Sequence, residues 1–205
     1  MPLALRCLAL AVALVGTACS DGNGEGAAEN RTEERPPPST EATSPGGECL
    51  PRGSTVARRT RAGPDAVFLV ETEVFRLDDC ADQVVFQFRS GATDLPPGYA
   101  VEYQPGPFRD FTSADEIDVG GEAYLVVELA KTLLVEVTDP ENDPDGEPTY
   151  TGRESIDPSG LNHLSEARIV QGREGVTQWV LGLDSERPFT IDAASAPPRM
   201  VVTIG

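Results

Sequence analysis

Alternation of apolar and polar residues predicts β-strands in the middle of the chain. Residues 66–77 (AVFLVETEVFRL) and 83–89 (QVVFQFR) are rich in β-branched and aromatic residues, which favour strands. In the second segment three apolar side chains share one face and polar side chains take the other. Residues 78–82 (DDCAD), which separate the two segments, are typical of a turn. The pattern therefore predicts two strands joined by a turn.

Short segments of the same kind recur to the end of the chain. The further predicted strands are residues 99–104, a short piece at 117–119, 123–130 with 133–138 continuing or following it, 168–170, 176–183, 189–192 and 200–204. Apolar residues never recur at helical spacing over eleven or more residues, so we predict only single helical turns, at residues 111–117 and 161–167. About eight or nine short strands predict an all-β fold, a single antiparallel β-sandwich or a closely related antiparallel barrel.

The N-terminus has a different pattern. One positive charge, Arg6, precedes a short apolar run that is followed by small residues. The run is too short to span a bilayer, which takes about 20 residues, and its flanks are typical of a secretory signal peptide. Residues 15–19 (VGTAC) resemble a bacterial lipobox, so we predict that residues 1–18 are removed and that Cys19 is acylated on the outer face of the cell membrane. The alternative is simple cleavage and secretion.

The next segment has the composition of a linker. Residues 20–47 contain no aromatic residue and no Val, Ile, Leu or Met. Such a segment buries too little apolar surface to offset the entropy of ordering it. We therefore predict that residues 19–47 comprise the lipid-attachment cysteine and a disordered linker, and that residues 48–205 form the one folded domain.

Charge limits the choice of partners. The chain has 16 Lys and Arg residues against 34 Asp and Glu residues, a net charge of −18 at pH 7. This excess repels phosphate backbones, which excludes a nucleic acid as partner. Polyanionic wall polymers are repelled for the same reason. A ligand in the cell wall is then a neutral glycan, a cationic peptide group or a group bridged by a divalent ion.

Two cysteines lie within the predicted domain, Cys49 and Cys80. An exported protein with two such cysteines most often pairs them, so we predict a disulfide. Reactive thiols and a metal site are the alternatives, but a metal needs more than two ligands and no cluster of His or Cys accompanies the pair.

Several segments carry a resemblance to a known family. They are, in order, RLDDCADQVVFQF (76–88), PGYAVEYQPGP (97–107), GVTQWVLGL (175–183), RPFTI (187–191) and PPRMVVTI (197–204). From about residue 66 to the C-terminus the chain resembles the AMIN-like domain of actinobacterial lipoproteins. The resemblance implies a β-sandwich related to the AMIN domain, a non-catalytic module associated with placement at the cell envelope and with peptidoglycan binding.

Candidate catalytic groups are few. His163 is the only histidine, and no nucleophile motif such as G-x-S-x-G accompanies it. One histidine cannot supply the ligands of a zinc amidase. Carboxylates are so abundant that paired acids carry no information. We therefore predict no enzyme activity, no catalytic residue and no cofactor.

An acidic loop at residues 139–147 (DPENDPDGE) is the sharpest local motif. Its alternating oxygen ligands, Asp139, Glu141, Asp143 and Asp145, suggest weak Ca²⁺ binding. The EF-hand spacing fails, however, because the position for the final glutamate is a glycine. The alternative is a solvated surface loop that binds no ion.

Aromatic residues are the candidates for contact with a sugar. Tyr103, Phe108 and Phe111 surround a Pro-Gly-Pro turn and could line a shallow groove, although core packing explains the same pattern. Trp179 alternates with apolar residues and is assigned to the core. The leading hypothesis is a membrane-anchored lipoprotein that binds peptidoglycan or is localised at the envelope. The alternative is a protein–protein adaptor that acts through an exposed strand edge.

Overall fold

The structure is a computed structural model that describes residues 49–61, 63–90, 93–110 and 113–205. These residues form strands and turns, with no helix among them. The strands are β1 (Arg58–Thr60), β2 (Val67–Asp78), β3 (Ala81–Ser90), β4 (Gly98–Tyr103), β5 (Phe108–Arg109), β6 (Glu116–Ile117), β7 (Ala123–Ala130), β8 (Thr132–Leu133), β9 (Val135–Glu136), β10 (Glu147–Pro148), β11 (Ser155–Ile156), β12 (Leu164–Arg173), β13 (Val176–Leu183), β14 (Phe189–Ala194) and β15 (Arg199–Ile204).

Two sheets contain most of the strands. The six-stranded sheet has the order β1-β4-β7-β13-β12-β11, and all its pairs are antiparallel. The five-stranded sheet has the order β14-β15-β3-β2-β8, in which only β2 and β8 are parallel. Two small ladders, β5 with β6 and β9 with β10, stand outside these sheets. The predicted antiparallel β-sandwich is confirmed.

The main core lies between the two sheets. Alternate residues of each long strand point inward, as the period of two requires. The five-stranded sheet contributes Phe86 and Met200, among others, and the six-stranded sheet contributes Leu125 and Trp179. Trp179 is fully buried, which confirms its assignment to the core, and its ring meets that of Phe86 edge to face at 5.7 Å.

A smaller core covers the outer face of the six-stranded sheet. Val126 and Val180 are cross-strand partners that point away from the main core. Val119 and the partly buried Phe108 and Ile117 pack over them from the β5–β6 segment. Tyr124 belongs to the same cluster. One face of this sheet is thus held against the second sheet, and the other carries the β5–β6 segment.

The N-terminal arm joins both sheets. Arg58–Thr60 pairs with β4, while Ser54 forms a β-bridge to Phe189 at the edge of the other sheet. Cys49 and Cys80 form a disulfide, which confirms that prediction.

One local prediction was wrong. The expected helical turn at residues 161–167 is instead a turn followed by the start of β12, because the Asp82 carboxylate binds the backbone amides of Asn162, His163 and Leu164. The helical turn predicted at residues 111–117 lies partly outside the described residues. In its described part the Ala114 amide donates to the Asp110 carbonyl at 2.9 Å, and Glu116 and Ile117 then pair with β5 as strand β6.

The predictions for the signal peptide, Cys19 and the linker lie outside the described residues. Within the described ranges, no helix has the length and apolar character that crossing a membrane demands.

Candidate functional site

Two adjoining depressions open on either side of Tyr124, and together they are called the Tyr124 groove. The first has a volume of about 420 Å³ and is lined by Tyr103, Gln104, Pro105, Gly106, Glu122, Ala123, Tyr124 and Glu186. The second has a volume of about 360 Å³ and is lined by Gly106, Pro107, Phe108, Glu116, Ile117, Asp118, Val119 and Tyr124. Gly106 and Tyr124 belong to both, so the two depressions form one continuous surface.

The end of the six-stranded sheet positions this groove. Strand β4 ends at Tyr103 beside the start of β7, and the Gln104 amide continues the ladder by donating to the Tyr124 carbonyl at 3.0 Å. The Pro105–Gly106–Pro107 turn then takes the chain across the outer face to Phe108. The Phe108 and Tyr124 rings meet edge to face at 5.3 Å, a geometry that aromatic pairs prefer. The contact between the two rings therefore packs the β5–β6 segment against strand β7.

Tyr103 has a structural role beside its place in the groove. Its hydroxyl donates to the Arg187 carbonyl at 2.7 Å and accepts from the Arg187 amide at 2.8 Å, so its hydrogen-bonding capacity is used within the protein. Its ring packs edge to face on Phe189 at 6.2 Å. Burial raises the pKa of the Tyr103 hydroxyl, and the hydrogen bond from the Arg187 amide only partly opposes this. Tyr103 therefore offers the groove a ring and no free polar group.

Carboxylates surround the groove, and three of them have no ion-pair partner among the described residues. These three are Glu122 and Glu186 in the first depression and Asp118 in the second. The fourth, Glu116, lies 3.9 Å from the Arg109 guanidinium, a loose and exposed pair. The groove is thus an aromatic surface with a negative rim.

Two of the three predicted sugar-contact residues lie at the groove. Tyr103 and Phe108 both line the groove, in different depressions. Phe111 lies outside the described residues. Tyr124, which joins the two depressions, is the residue that the sequence reasoning missed. It is the second residue of strand β7 and follows the alternation of a core strand, so only its position on the outer face distinguishes it.

The acidic loop does not bring its carboxylates together on an ion. The Asp139 side chain accepts from the Asn142 amide and side chain, at 3.2 and 2.7 Å, and the Asp143 side chain accepts from the Gly146 amide. The two hydrogen bonds from Asn142 lower the pKa of Asp139. Glu141 and Asp145 are exposed on the same loop. Over the described ranges no three His, Cys, Asp or Glu side chains are placed to hold a metal ion, and weak Ca²⁺ binding by the loop stays a prediction.

His163 contacts acceptors and no nucleophile. Its Nδ1 lies 3.4 Å from the Asp184 carboxylate and its Nε2 lies 3.3 Å from the Cys80 carbonyl. Burial alone would raise the pKa of Asp184, but hydrogen bonds from Arg187 and His163 outweigh it and hold that pKa below its ordinary value. His163 therefore links the turn that contains Cys80 to the turn that contains Asp184, and these contacts give it a structural role.

Comparison with known families assigns the fold. A family model described as the AMIN-like domain matches residues 75–205, close to two thirds of the chain. The chain belongs to the AMIN-like domain family. The match covers the whole Tyr124 groove and begins within β2, so it leaves out the N-terminal arm. No curated protein and no solved structure matches the chain.

The family gives the general setting of this AMIN-like domain. AMIN-like domains are generally non-catalytic binding domains, related to peptidoglycan and located in the cell envelope outside the cytoplasm.

Proposed function

We propose that this AMIN-like domain binds peptidoglycan, and that the Tyr124 groove is its binding surface. The observation that carries the proposal is the edge-to-face pair of rings, Phe108 and Tyr124, at two open depressions: Tyr124 lines both of them and Phe108 lines the second. Apolar faces of sugar rings pack against aromatic side chains, while polar groups at the rim fix their orientation. The groove combines both features at one end of the six-stranded sheet.

The size of the groove fits a ligand with several linked units. Each depression, of about 420 and 360 Å³, is within the range of roughly 300–1,000 Å³ that is usual for ligand sites. Since they are continuous around Tyr124, an extended ligand can occupy both. A glycan strand with its attached peptide has this extended shape.

We also propose that Cys19 is the lipid anchor, with residues 20–47 as the tether between membrane and domain. The lipobox-like residues 15–19 and the linker composition support it. If Cys19 holds the protein on the membrane, Cys19→Ala releases the chain into the medium, which immunoblotting of cell and medium fractions measures. Unchanged retention of the variant on membranes would refute the anchor.

The adaptor alternative requires a strand edge that is open to a partner strand. No described strand pairs with the outer edge of β2 beyond Phe68. That edge, however, is interrupted by irregular register on both sides of its central part and carries exposed Glu71, Glu73 and Arg76. Bulges and charges of this kind are what proteins use to prevent edge-to-edge pairing. The β2 edge is therefore protected against pairing with a partner strand.

Blocking the groove tests the proposal directly. A Cβ at Gly106 lies 3.7 Å from the Tyr124 ring and 3.8 Å from the Phe108 ring, which is ordinary contact, so the longer side chain of Gly106→Leu enters the groove. We expect the purified full-length chain to pellet saturably with isolated peptidoglycan, and Gly106→Leu to pellet at least tenfold less.

The matched control is Phe75→Ala, which removes a half-exposed aromatic side chain from β2 of the other sheet and should pellet like the wild type. Absence of pelleting by the wild type would overturn the function. Equal pelleting of Gly106→Leu and the wild type would overturn the site.

A further inference from the structure

Resting on the proposed function, we propose that the Tyr124 groove selects the free primary amines of peptidoglycan's peptide stems. Glu122 and Glu186 line the first depression, and Glu116 and Asp118 line the second. No lysine or arginine lines either depression. The ligand that complements this surface carries positive charge beside its apolar faces.

Three arginines that adjoin groove residues in sequence or by contact already have acceptors of their own. The Arg187 guanidinium donates to the Asp184 carboxylate at 2.8 Å. Arg109 donates to the Ala114 carbonyl at 3.1 Å, and Arg168 donates to the Asp118 carbonyl at 3.0 Å. These guanidinium groups are turned to other acceptors, which leaves the Glu122, Glu186 and Asp118 carboxylates available to a ligand.

The arrangement of the carboxylates favours amines over a metal ion. Chelation of a metal ion requires several ligand oxygens that converge on the ion. In the described ranges no group of three acidic, His or Cys side chains meets this requirement. The groove carboxylates instead stand on two sides of Tyr124. Separate carboxylates along a groove match separate ammonium groups along an extended ligand.

This preference makes the domain sensitive to cross-linking. A peptide cross-link is an amide bond, and its formation consumes the charge of the amine. Cross-linked stems therefore present a neutral amide where free stems present an ammonium group. The groove is then selective for peptidoglycan with few cross-links.

Chemical modification of one peptidoglycan preparation tests the preference. Acetylation neutralises the free amines, whereas reductive methylation modifies the same amines and keeps their charge. Two exposed charge contacts of ordinary strength correspond to a change in affinity of about tenfold. We expect the full-length chain to bind acetylated peptidoglycan about tenfold more weakly than unmodified peptidoglycan, and methylated peptidoglycan nearly as well as unmodified.

A pair of neutralised variants locates the effect. In Glu122→Gln/Glu186→Gln the difference between unmodified and acetylated peptidoglycan should fall markedly, with only the carboxylates of the second depression remaining. The control Glu71→Gln/Glu73→Gln removes two exposed carboxylates from the five-stranded sheet, where both accept from Gln87, and should keep the full difference.

The outcomes separate the two proposals. Equal binding of unmodified and acetylated peptidoglycan by the wild type overturns the amine preference and leaves the proposed function in place. No binding to either preparation overturns the proposed function and with it the preference. Loss of the preference in the control variant as well as in Glu122→Gln/Glu186→Gln overturns the assignment to the groove.

Discussion

One buried carboxylate, Asp82, organises the turn that leads into β12. It is fully buried and accepts from the backbone amides of Asn162, His163 and Leu164, at 3.0, 2.6 and 3.0 Å. Backbone amides that lose their hydrogen-bond acceptors in a protein interior cost free energy. The Asp82 carboxylate therefore stabilises the fold by accepting hydrogen bonds from these amides. Nothing in the sequence distinguishes Asp82 from the other acidic residues, since only burial gives it this task.

Removal of this carboxylate should be strongly destabilising. Asp82→Ala leaves one buried and two partly buried amides without an acceptor, so we expect the free energy of unfolding to fall by about 3 kcal/mol. Urea denaturation at neutral pH measures it. The control is Asp79→Ala, whose fully exposed side chain makes only a 4.0 Å contact with Arg76 and should change stability by less than about 0.5 kcal/mol. Equal effects of the two substitutions would contradict this role.

The Asp184 carboxyl gives the fold an acid dependence of known sign. Its pKa is lowered in the folded state, so folding favours the charged form. The stability that this group contributes is complete above its unfolded pKa, near 4, and is lost as the pH falls through the lower folded pKa. Between pH 5 and pH 3 the free energy of unfolding should therefore fall more steeply for the wild type than for Asp184→Asn. Parallel declines in urea titrations at successive pH values would exclude this contribution.

At the scale of elements, the groove depends on a close approach between β13 and the segment before β7. Gly182 faces the backbone of Gly120, and a Cβ at position 182 would lie only 1.7 Å from the Gly120 carbonyl oxygen. The segment that carries Asp118 and Val119 into the second depression thus packs directly against the backbone of Gly182, which has no side chain. A glycine inside a central strand is required here, because any side chain would displace that segment.

Gly182→Ala should consequently disturb both stability and the groove. We expect a loss of about 3 kcal/mol of unfolding free energy, because backbone must move to relieve the contact. Gly106→Ala is the matched control, since its Cβ makes only ordinary contacts at 3.7 and 3.8 Å. Thermal unfolding of both variants measures the difference. A Gly182→Ala variant as stable as Gly106→Ala would contradict the close approach.

The sequence predicts a strand correctly where the alternation of its residues matches the way the strand packs in the fold. The strand at 176–183 was predicted with the bounds that β13 has, because its residues alternate into a core on both faces. The two-residue strands β5 and β6 were not predicted as a pair, since two residues carry no periodicity. The groove was predicted only in part, through Tyr103 and Phe108. The role of Tyr124 depends on which face of the sheet is covered, and that is decided by tertiary packing.

At the scale of the whole molecule, the N-terminal arm joins regions that are distant in sequence. The Arg52 amide donates to the Gly205 carbonyl at 2.7 Å, so the start of the described domain contacts its end. The Arg52 guanidinium also pairs with the Asp78 carboxylate. The Cys49–Cys80 disulfide fixes the arm beside this pair. The arm lies before the residues that the family model matches.

Reduction of the disulfide should destabilise the fold. It crosslinks residues 31 apart in sequence, and a loop of this size is worth about 3–4 kcal/mol, or roughly 10 °C in Tm. We expect reductant to lower the Tm of the wild type to that of Cys49→Ser/Cys80→Ser, which itself should not respond. Mass spectrometry should find neither cysteine alkylated before reduction. A Tm unchanged by reductant, or alkylation of both thiols, would contradict this account.

The central claim is that peptidoglycan binds at the Tyr124 groove. The most direct measurement is the change in backbone amide NMR shifts of the full-length chain on titration with a soluble glycan–peptide fragment of peptidoglycan. The account predicts saturable shifts at residues 103, 104, 106, 108, 116–124 and 186, with the outer face of the five-stranded sheet unaffected. Shifts confined to that outer face, or no shifts at saturating fragment, would contradict it.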